Sequence, residues 1–257
     1  MTPILLLGAG RMGGALIEGW TRAGAFAAPD IMVRDPQPGA LPGGVRLNPA
    51  DVELAQAKTV LLAVKPQIWR DASAAIMDHL AADAVVVSIA AGVNSADIAS
   101  VYGGRRIARV MPTTAVAIGQ GTASVFTSDV EARARAHTLF EPVATVVDLP
   151  DEELMHAATA VSGSAPAYLY AFVEALEAAG AKAGLEPSAA SGLARSTIAG
   201  AAALMAQSGT EPAELRKQVT SPGGTTQAAL EVLMAELPDL MARAVAAAAK
   251  RSKELGS

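Results

Sequence analysis

The chain has 257 residues, of which 51% are hydrophobic and 18% are charged. This composition supports a packed core and excludes wholesale disorder. The net charge of −5 and the lack of a long basic run argue against nucleic-acid binding, which needs clustered Lys and Arg. The chain has no cysteine, and its three histidines lie far apart in sequence, so we expect no disulfide, no thiolate catalysis and no metal site.

The two longest uncharged stretches, 110–128 and 154–173, are not typical of membrane spans. Both contain Pro, Gly, Ser and Thr. The apolar run near the N-terminus follows no basic stretch and ends at a glycine, unlike a secretory signal. We therefore expect a cytoplasmic protein without a membrane partner.

The first half of the chain alternates between strand-like and helix-like segments. The predicted strands are short apolar runs: Ile4–Leu7, Ile31–Val33, Thr59–Val64, Ala84–Ile89, Ile107–Met111, Ala123–Thr127 and Ala144–Leu149. The predicted helices run from the first glycine-rich turn to about Ala23, from an Asn48 cap to Ala57, from Pro66 to Leu80, over Asn94–Val101, and from a Ser128 capping box to Phe140. Continuous apolar strands separated by helices predict a parallel sheet that is covered on both faces.

After Pro150 the strand pattern ends. Helices are predicted over 151–160, 166–183, 187–208, 211–219, 226–236 and 238–254. The chain is therefore predicted to be an α/β protein, with a doubly wound sheet domain over 1–150 and an all-helical domain over 151–257. The small residues Gly192, Ser196 and Gly200 would lie along one helix face, where another helix of the same or of a second subunit could approach closely.

A glycine-rich turn follows the first predicted strand. It has the pattern GxGxxG and consists of Gly8, Ala9, Gly10, Arg11, Met12 and Gly13. Gly8 allows the tight turn, Gly10 lets the backbone approach a pyrophosphate, and Gly13 allows close helix–sheet packing. The helix that follows offers unpaired N–H groups and its positive dipole end to an anion. This context predicts a dinucleotide site, and the alternative is a tight turn without a ligand.

The end of the second predicted strand is expected to distinguish NAD from NADP. An acidic residue there would bind the ribose 2′-hydroxyl of NAD, whereas an arginine would accommodate the 2′-phosphate of NADP. The sequence carries both, as Arg34 and Asp35. We expect Arg34 to face the cofactor, which predicts a preference for NADP with NAD as the alternative. A solvated charge at the strand end is the other interpretation of Arg34.

Two further loops follow strands of the same sheet. Ligands of open α/β sheets lie outside the carboxyl ends of the strands, so both loops are expected to line the cofactor. The residues expected to contact the cofactor are Val64, Lys65 and Pro66 in one loop and Ala90 and Ala91 in the other. Lys65 would meet a phosphate or a ribose, and its alternative is a surface lysine at a helix entry.

A nicotinamide enzyme needs a group that polarises a carbonyl or an imine. No tyrosine is followed four residues later by lysine, so the pattern of short-chain dehydrogenases is absent. Two charge-free turns, 162–168 and 220–226, instead lead into predicted helices. The N–H groups of the second turn could hold a carboxylate while Thr225 or Thr226 donates to a reacting nitrogen, or caps the helix, or does both. A site that offers only hydroxyl donors suits an imine better than a ketone.

Six motifs occur in order along nearly the whole chain. They are GAGRMGGAL (8–16), AVKPQ (63–67), SIAAGV (88–93), RVMPTT (109–114), AVSGSAPAY (160–168) and VTSPGGTT (219–226). At these residues the sequence resembles the pyrroline-5-carboxylate reductase family, and SPGGTT behind the SGSxPAY turn is the most specific part. The related β-hydroxyacid dehydrogenases carry a catalytic lysine in the first long helix of the second domain, and the stretch 162–176 has none.

The resemblance implies an enzyme of proline biosynthesis. The family transfers hydride from NAD(P)H to the imine carbon of 1-pyrroline-5-carboxylate and forms L-proline. It implies a Rossmann domain followed by a helical domain that interlocks with a second subunit. The expected partner is thus a second copy of the chain, in a homodimer that can assemble further into a decamer.

The motifs also carry the family's site residues over to this chain. Thr226 would hydrogen-bond the ring nitrogen of the substrate. The loop for the substrate carboxylate would consist of Ser221, Gly223, Gly224 and Thr225. Glu152 occupies the place of a family glutamate near the substrate, and Gln218 that of a side chain near the cofactor.

Several positions depart from the family pattern. Thr113 and Ala115 replace an asparagine and a proline, Ala165 replaces a glycine, and His156 replaces an aspartate. A family asparagine has no clear counterpart near 50–51. These departures keep two alternatives open: a related reductase of another cyclic imine or keto acid, and a non-catalytic nucleotide-sensing protein.

Overall fold

The computed structural model describes residues 1–255, which form two compact units. The first unit contains residues 1–163 together with the chain from 246 onwards, and the second contains residues 164–245. The expected boundary near 150 coincides with the end of the last strand, whereas the two units divide after Gly163. None of the helices in the described part of the chain is long and apolar enough to cross a membrane.

The first unit is built on an eight-stranded sheet. Its strands are β1 (Ile4–Leu7), β2 (Ile31–Arg34), β3 (Arg46–Leu47), β4 (Thr59–Leu62), β5 (Val85–Ser88), β6 (Ile107–Pro112), β7 (Gly121–Phe126) and β8 (Ala144–Asp148). Its helices are α1 (Arg11–Ala23), α2 (Trp69–Ala74), α3 (Ser95–Val101), α4 (Val130–Phe140) and α5 (Leu154–Ala158). The spatial order of the strands is β3-β2-β1-β4-β5-β6-β7-β8. The predicted α/β class is thus confirmed, and β3 is an additional short strand at the edge.

The prediction of a parallel sheet holds for the first six strands but not for the pairing of β6 with β7. These two strands are antiparallel, and β7 is again parallel to β8. The connection between them, 113–120, contains only a short 3₁₀ turn over Thr114–Ile118. A parallel neighbour needs a crossover of a dozen or more residues, so a connection of this length turns the chain back on itself.

Apolar side chains cover both faces of the sheet. Ile4 and Leu6 belong to one buried cluster, and Leu5 and Leu7 belong to the other, as expected for successive residues of a central strand. The largest side chain of the first cluster, Trp20, is fully buried and donates its indole N–H to the carbonyl of Leu139 at 2.7 Å.

The second cluster contains the fully buried Tyr102. Burial raises the pKa of Tyr102 to about 12, and its hydroxyl donates to Ser73 Oγ at 2.9 Å. The polar atoms of Trp20 and Tyr102 therefore both have a partner inside the core.

The predicted helix starts were wrong at three places. The segment after Asn48 is a 3₁₀ helix over Asp51–Gln56, and the side chain of Asn48 instead bonds both backbone groups of Asp35. The segment from Pro66 first forms a turn, so α2 begins only at Trp69. Asp129, not Ser128, caps α4 by accepting from the N–H of Ala132 at 2.8 Å.

The second unit is helical throughout, as predicted. Its helices are α6 (Ala165–Lys182), α7 (Pro187–Ser208), α8 (Pro212–Gln218) and most of α9 (Thr225–Glu254), whose last turns belong to the first unit. Two predicted helices form this single helix α9, because Pro238 removes only one backbone donor and the flanking residues strongly favour helix. In the chain, Thr159–Gly163 forms a π-helical turn that follows α5 and precedes α6.

Candidate functional site

The glycine turn after β1 has the geometry that the sequence predicts. Gly8 has a φ of +93°, and a Cβ there would lie 2.9 Å from Val64 Cγ1. A Cβ at Gly13 would lie 2.3 Å from the carbonyl oxygen of Gly8, so only glycine lets α1 start this close to the strand. At Gly10, in contrast, no described atom lies within 4 Å of such a Cβ, so the space beside the backbone is open.

The N-terminus of α1 faces this open space. Gly10 is the N-cap residue of α1, and no side chain among residues 1–255 bonds the free N–H groups at this end of the helix. The first turn of α1 contains no acidic residue. Ala9 is buried, Met12 is half-buried, and Arg11 is exposed at the helix start. An anion can therefore reach the first N–H groups of the helix and its positive dipole end.

The strand register brings the other predicted cofactor residues of the first unit to the same edge. Leu7, at the end of β1, pairs with Arg34 of β2 and with Leu62 of β4, and Leu62 pairs with Ser88 of β5. The loops that carry Val64, Lys65, Pro66, Ala90 and Ala91 thus leave the sheet beside the glycine turn. The strand order reverses between β1 and β4, which is where open α/β sheets bind dinucleotides.

Arg34 and Asp35 take different places at the end of β2. The Asp35 carboxylate accepts a hydrogen bond of 2.7 Å from the N–H of Ala9, so it lies directly against the glycine turn. The guanidinium of Arg34 forms an ion pair with Asp51, whose other oxygen lies 3.7 Å from His79 Nε2. Both the expected cation and a carboxylate therefore lie at the position that distinguishes NAD from NADP.

Glu152 lies at the start of the segment that leads into α5. Its Oε1 accepts three hydrogen bonds: 2.7 Å from Ser95 N–H, 2.9 Å from the Ser95 hydroxyl and 2.7 Å from Arg109 Nη1. Burial by itself raises the pKa of Glu152, but the bonds from Arg109 and Ser95 outweigh it, so the pKa lies below its usual value. Sequence reasoning missed both partners, and a charged residue inside the apolar strand Ile107–Met111 was the available signal for Arg109.

A cavity of about 360 Å³ lies beside this cluster and is lined by Arg109, Glu152, His156 and Lys253, among others. His156 Nδ1 lies 3.1 Å from Ser252 Oγ, and Lys253 Nζ lies 3.1 Å from Glu153. No group of three or more acidic or histidine side chains within residues 1–255 could hold a metal ion. The lining residues Arg109, Lys253, Glu152 and Glu153 give the cavity charged groups of both signs.

The replaced residue Thr113 has a structural role. It is buried, and its hydroxyl accepts a hydrogen bond of 3.0 Å from the N–H of Thr122, while its own N–H bonds the carbonyl of Thr122. The hydroxyl thus fastens the connection between β6 and β7, whereas the next residue, Thr114, is exposed.

In the second unit, the turn over Ser221–Thr226 closes onto the start of α9. Gly223 has a φ of +72°, which favours glycine, and a Cβ at Gly224 would lie 2.5 Å from Ser221 Oγ, so a side chain there would displace the Ser221 hydroxyl. Gly224 N–H bonds the carbonyl of Ser221 at 3.0 Å, and Gly223 N–H donates to Gln227 Oε1 at 2.7 Å.

The two threonines at the start of α9 do not cap it through their side chains. Among the described residues, the hydroxyls of Thr225 and Thr226 have no hydrogen-bond partner, and the side chain that bonds the turn is that of Gln227. Gln218 is the exposed last residue of α8, shortly before the turn. The turn therefore presents free hydroxyls next to the positive end of a long helix.

A glycine turn on a doubly wound sheet, followed by a helical unit, defines a Rossmann-type dinucleotide-binding protein of two domains. Residues 3–92 match the family model of coenzyme F420-dependent NADP oxidoreductases, and residues 152–255 match that of the pyrroline-5-carboxylate reductase dimerisation domain. The pyrroline-5-carboxylate reductase of Pseudomonas aeruginosa is 36% identical over 98% of this chain and 96% of its own length. The chain belongs to the pyrroline-5-carboxylate reductase family.

Solved structures of the same family agree in fold. A pyrroline-5-carboxylate reductase from Coxiella burnetii has a TM-score of 0.88 at 30% identity and covers 100% of this chain and 99% of its own. The pyrroline carboxylate reductase of Plasmodium falciparum, solved with NADP bound, has a TM-score of 0.86 at 27% identity and covers 100% and 98%.

Proposed function

We propose that this chain reduces 1-pyrroline-5-carboxylate to L-proline with hydride from NAD(P)H, the last step of proline biosynthesis. The observation that carries the proposal is the Ser221–Thr226 turn, in which two glycines fix the backbone and the hydroxyl of Thr226 is free. Relatives that share the whole length of the chain support the reaction class.

The cofactor is NADPH by preference, with NADH as the alternative. The open space at Gly10 and the uncapped start of α1 fit a pyrophosphate, and Arg34 fits a 2′-phosphate. The residues that hold the cofactor are Gly8, Ala9, Gly10, Arg11, Met12, Gly13, Arg34, Val64, Lys65, Pro66, Ala90, Ala91 and Gln218. When bound, the nicotinamide would supply a hydride, which carries both electrons of the reduction.

The residues of the turn bind and orient the substrate. The loop of Ser221, Gly223, Gly224 and Thr225 binds the carboxylate, helped by the positive end of α9. The Thr226 hydroxyl hydrogen-bonds the ring nitrogen: it donates to the nitrogen of the neutral imine, and its oxygen accepts from the N–H of the protonated imine, so it holds the ring in place in both forms. Because a protonated imine gains no negative charge on reduction, the site needs no stronger acid.

Initial rates of NADPH and NADH oxidation with racemic 1-pyrroline-5-carboxylate test the proposal. Clear turnover is expected, with a higher kcat/KM for NADPH. Folded protein that binds a dinucleotide but shows no turnover would contradict the proposal, and rates with cyclic imines of other ring sizes would then identify a related reductase. Tight dinucleotide binding without turnover on any imine would indicate a nucleotide sensor.

The variant Thr226→Ala tests the proposed donor. It should lower kcat/KM by roughly 100-fold, the low end for a positioned donor in a reacting site. Thr220→Ala is the matched control, because the Thr220 hydroxyl is already committed to the carbonyl of Arg216 at 2.6 Å. An unchanged rate for Thr226→Ala would remove this hydroxyl from the mechanism.

We also propose that the chain is at least a homodimer, that dimers assemble further into a decamer, and that the protein is cytoplasmic. The match of 152–255 to a dimerisation domain supports the dimer. Light scattering at micromolar concentration should give at least twice the chain mass, and a monomer would contradict the proposal.

A further inference from the structure

The loop that follows β5 carries two of the proposed cofactor residues, Ala90 and Ala91. The loop is held at its start: Ile89 N–H bonds the carbonyl of Leu62 at 3.0 Å, and Ala90 N–H lies 3.3 Å from Ser88 Oγ. Gly92, with a φ of +81°, turns the chain within the loop. What holds the far end therefore decides how well the loop keeps its shape.

The far end is held by a side chain from a distant part of the chain. Ser95, the first residue of α3, gives both its N–H and its hydroxyl to Glu152 Oε1. Glu152 is 57 residues further along, so the contact is set by tertiary structure and not by the local turn.

Glu152 is in turn held by Arg109. This side chain is only 4% exposed, and its Nη1 donates to the same Oε1 at 2.7 Å. A buried guanidinium without its carboxylate would be strongly destabilising, so the position of Glu152 is well determined. Arg109 also pairs in the sheet with Ser88, the residue at which the loop begins. The pair thus ties the end of the loop back to its start.

We propose that Glu152, held by Arg109, is a positioning residue that fixes the loop 89–95 for cofactor binding, and that it does not contact the substrate. The inference rests on the proposed function, because the loop is taken to line the cofactor. It replaces the expected direct role of Glu152 with an action through Ser95.

The chain offers a matched control in the next residue. Glu153 is also paired, with Lys253 at 3.1 Å, but both side chains are about 70% exposed, at 70% and 68%. An exposed pair of this kind contributes little. Glu153→Gln therefore makes the same change of charge one residue away and leaves the contacts of Glu152 with Ser95 and Arg109 intact.

The experiment measures the Kd of NADPH for the full-length enzyme without substrate, together with kcat and both KM values. Glu152→Gln should weaken NADPH binding by about 10-fold, the scale of a lost charge-assisted hydrogen bond, and lower kcat. The KM for pyrroline-5-carboxylate should stay within about 2-fold, because Glu152 is proposed not to contact the substrate. Glu153→Gln should change none of these values.

Ser95→Ala keeps the inference testable if Glu152→Gln does not fold. It leaves the Arg109–Glu152 pair in place and removes one hydrogen bond to the loop, so NADPH binding should weaken by about 2- to 5-fold. Amide hydrogen exchange over 89–95 should become faster in both variants, and this readout does not depend on catalysis.

Two outcomes would overturn the inference. A raised KM for pyrroline-5-carboxylate with unchanged NADPH binding would make Glu152 a substrate contact. Unchanged hydrogen exchange over 89–95 would show that the contact does not hold the loop. If the unaltered enzyme bound no dinucleotide, the proposed function would fail. The exchange data would still decide whether the contact of Glu152 with Ser95 holds the loop.

Discussion

The two units of this chain bury their apolar side chains to very different extents. In the first unit, large residues such as Trp20, Phe140 and Leu61 are fully buried. In the second, the buried residues are Ala190 and Ala194, while Leu204, Val232 and other large apolar side chains are 36–69% exposed. Full burial of such a side chain is worth about 1.5–3 kcal/mol, and each of these side chains gains only a part of it. The first unit therefore has its own core, whereas the second exposes an apolar surface of the kind that a partner covers.

Truncation of a buried side chain in the first unit should have the largest effect on the free energy of unfolding. Phe140→Ala removes a fully buried ring and should destabilise the fold by about 3–5 kcal/mol. Phe172→Ala, at a ring that is 41% exposed in the second unit, should lower stability only in a concentration-dependent way. Thermal unfolding at several protein concentrations measures both effects, and equal losses would contradict the comparison.

A charge on the exposed helices should break the assembly. Leu204 is 57% exposed on α7, so Leu204→Glu should leave the single chain folded. In the assembly the new carboxylate would be desolvated, which costs several kcal/mol, so dissociation and a loss of about 100-fold in kcat/KM are expected.

Light scattering and steady-state rates check this expectation. The matched control is Val130→Glu, at a side chain that is 84% exposed on α4 of the first unit and should tolerate the charge. An unchanged mass for Leu204→Glu would mean that this part of α7 is not covered.

The preference for a cofactor should be set within the first unit alone. The ion pair with Asp51 competes with a 2′-phosphate for Arg34. An exposed pair is worth about 0.2–1 kcal/mol, so Asp51→Asn should lower the KM for NADPH by about 2- to 5-fold and leave that for NADH unchanged. An equal change for both cofactors would show that Arg34 does not meet the phosphate.

The smallest effect should come from the surface of the first unit. His137 lies 2.8 Å from Glu141 and 3.0 Å from Asp148, and the hydrogen bond to Glu141 is the main cause that raises its pKa. A raised pKa means that the stabilisation is present at pH below about 6.5 and is lost as the pH rises through the folded value. His137→Gln should therefore lower Tm by about 1–3 °C at pH 5.5 and hardly at pH 9. A Tm difference that grows with pH would contradict this assignment.

The sequence predicted the central strands well, because a strand buried on both faces is a continuous apolar run. It also predicted α7 over 187–208 with the correct ends, since Pro187 starts the helix and Gly209 ends it in a left-handed conformation. The misassigned cap at Asn48 has a tertiary cause: the side chain that could have capped the local helix bonds the backbone of Asp35 instead.

The sequence by itself determined the glycine turns, because Gly8, Gly13 and Gly223 occupy places where any side chain would collide or strain the backbone. These local constraints are visible in the order of residues. Only the tertiary structure decided the contacts between groups far apart in the chain, such as Asp51 with Arg34 and Arg109 with Glu152. The buried charge of Arg109 must find an opposite charge, and which carboxylate it meets depends on how the strands and helices pack.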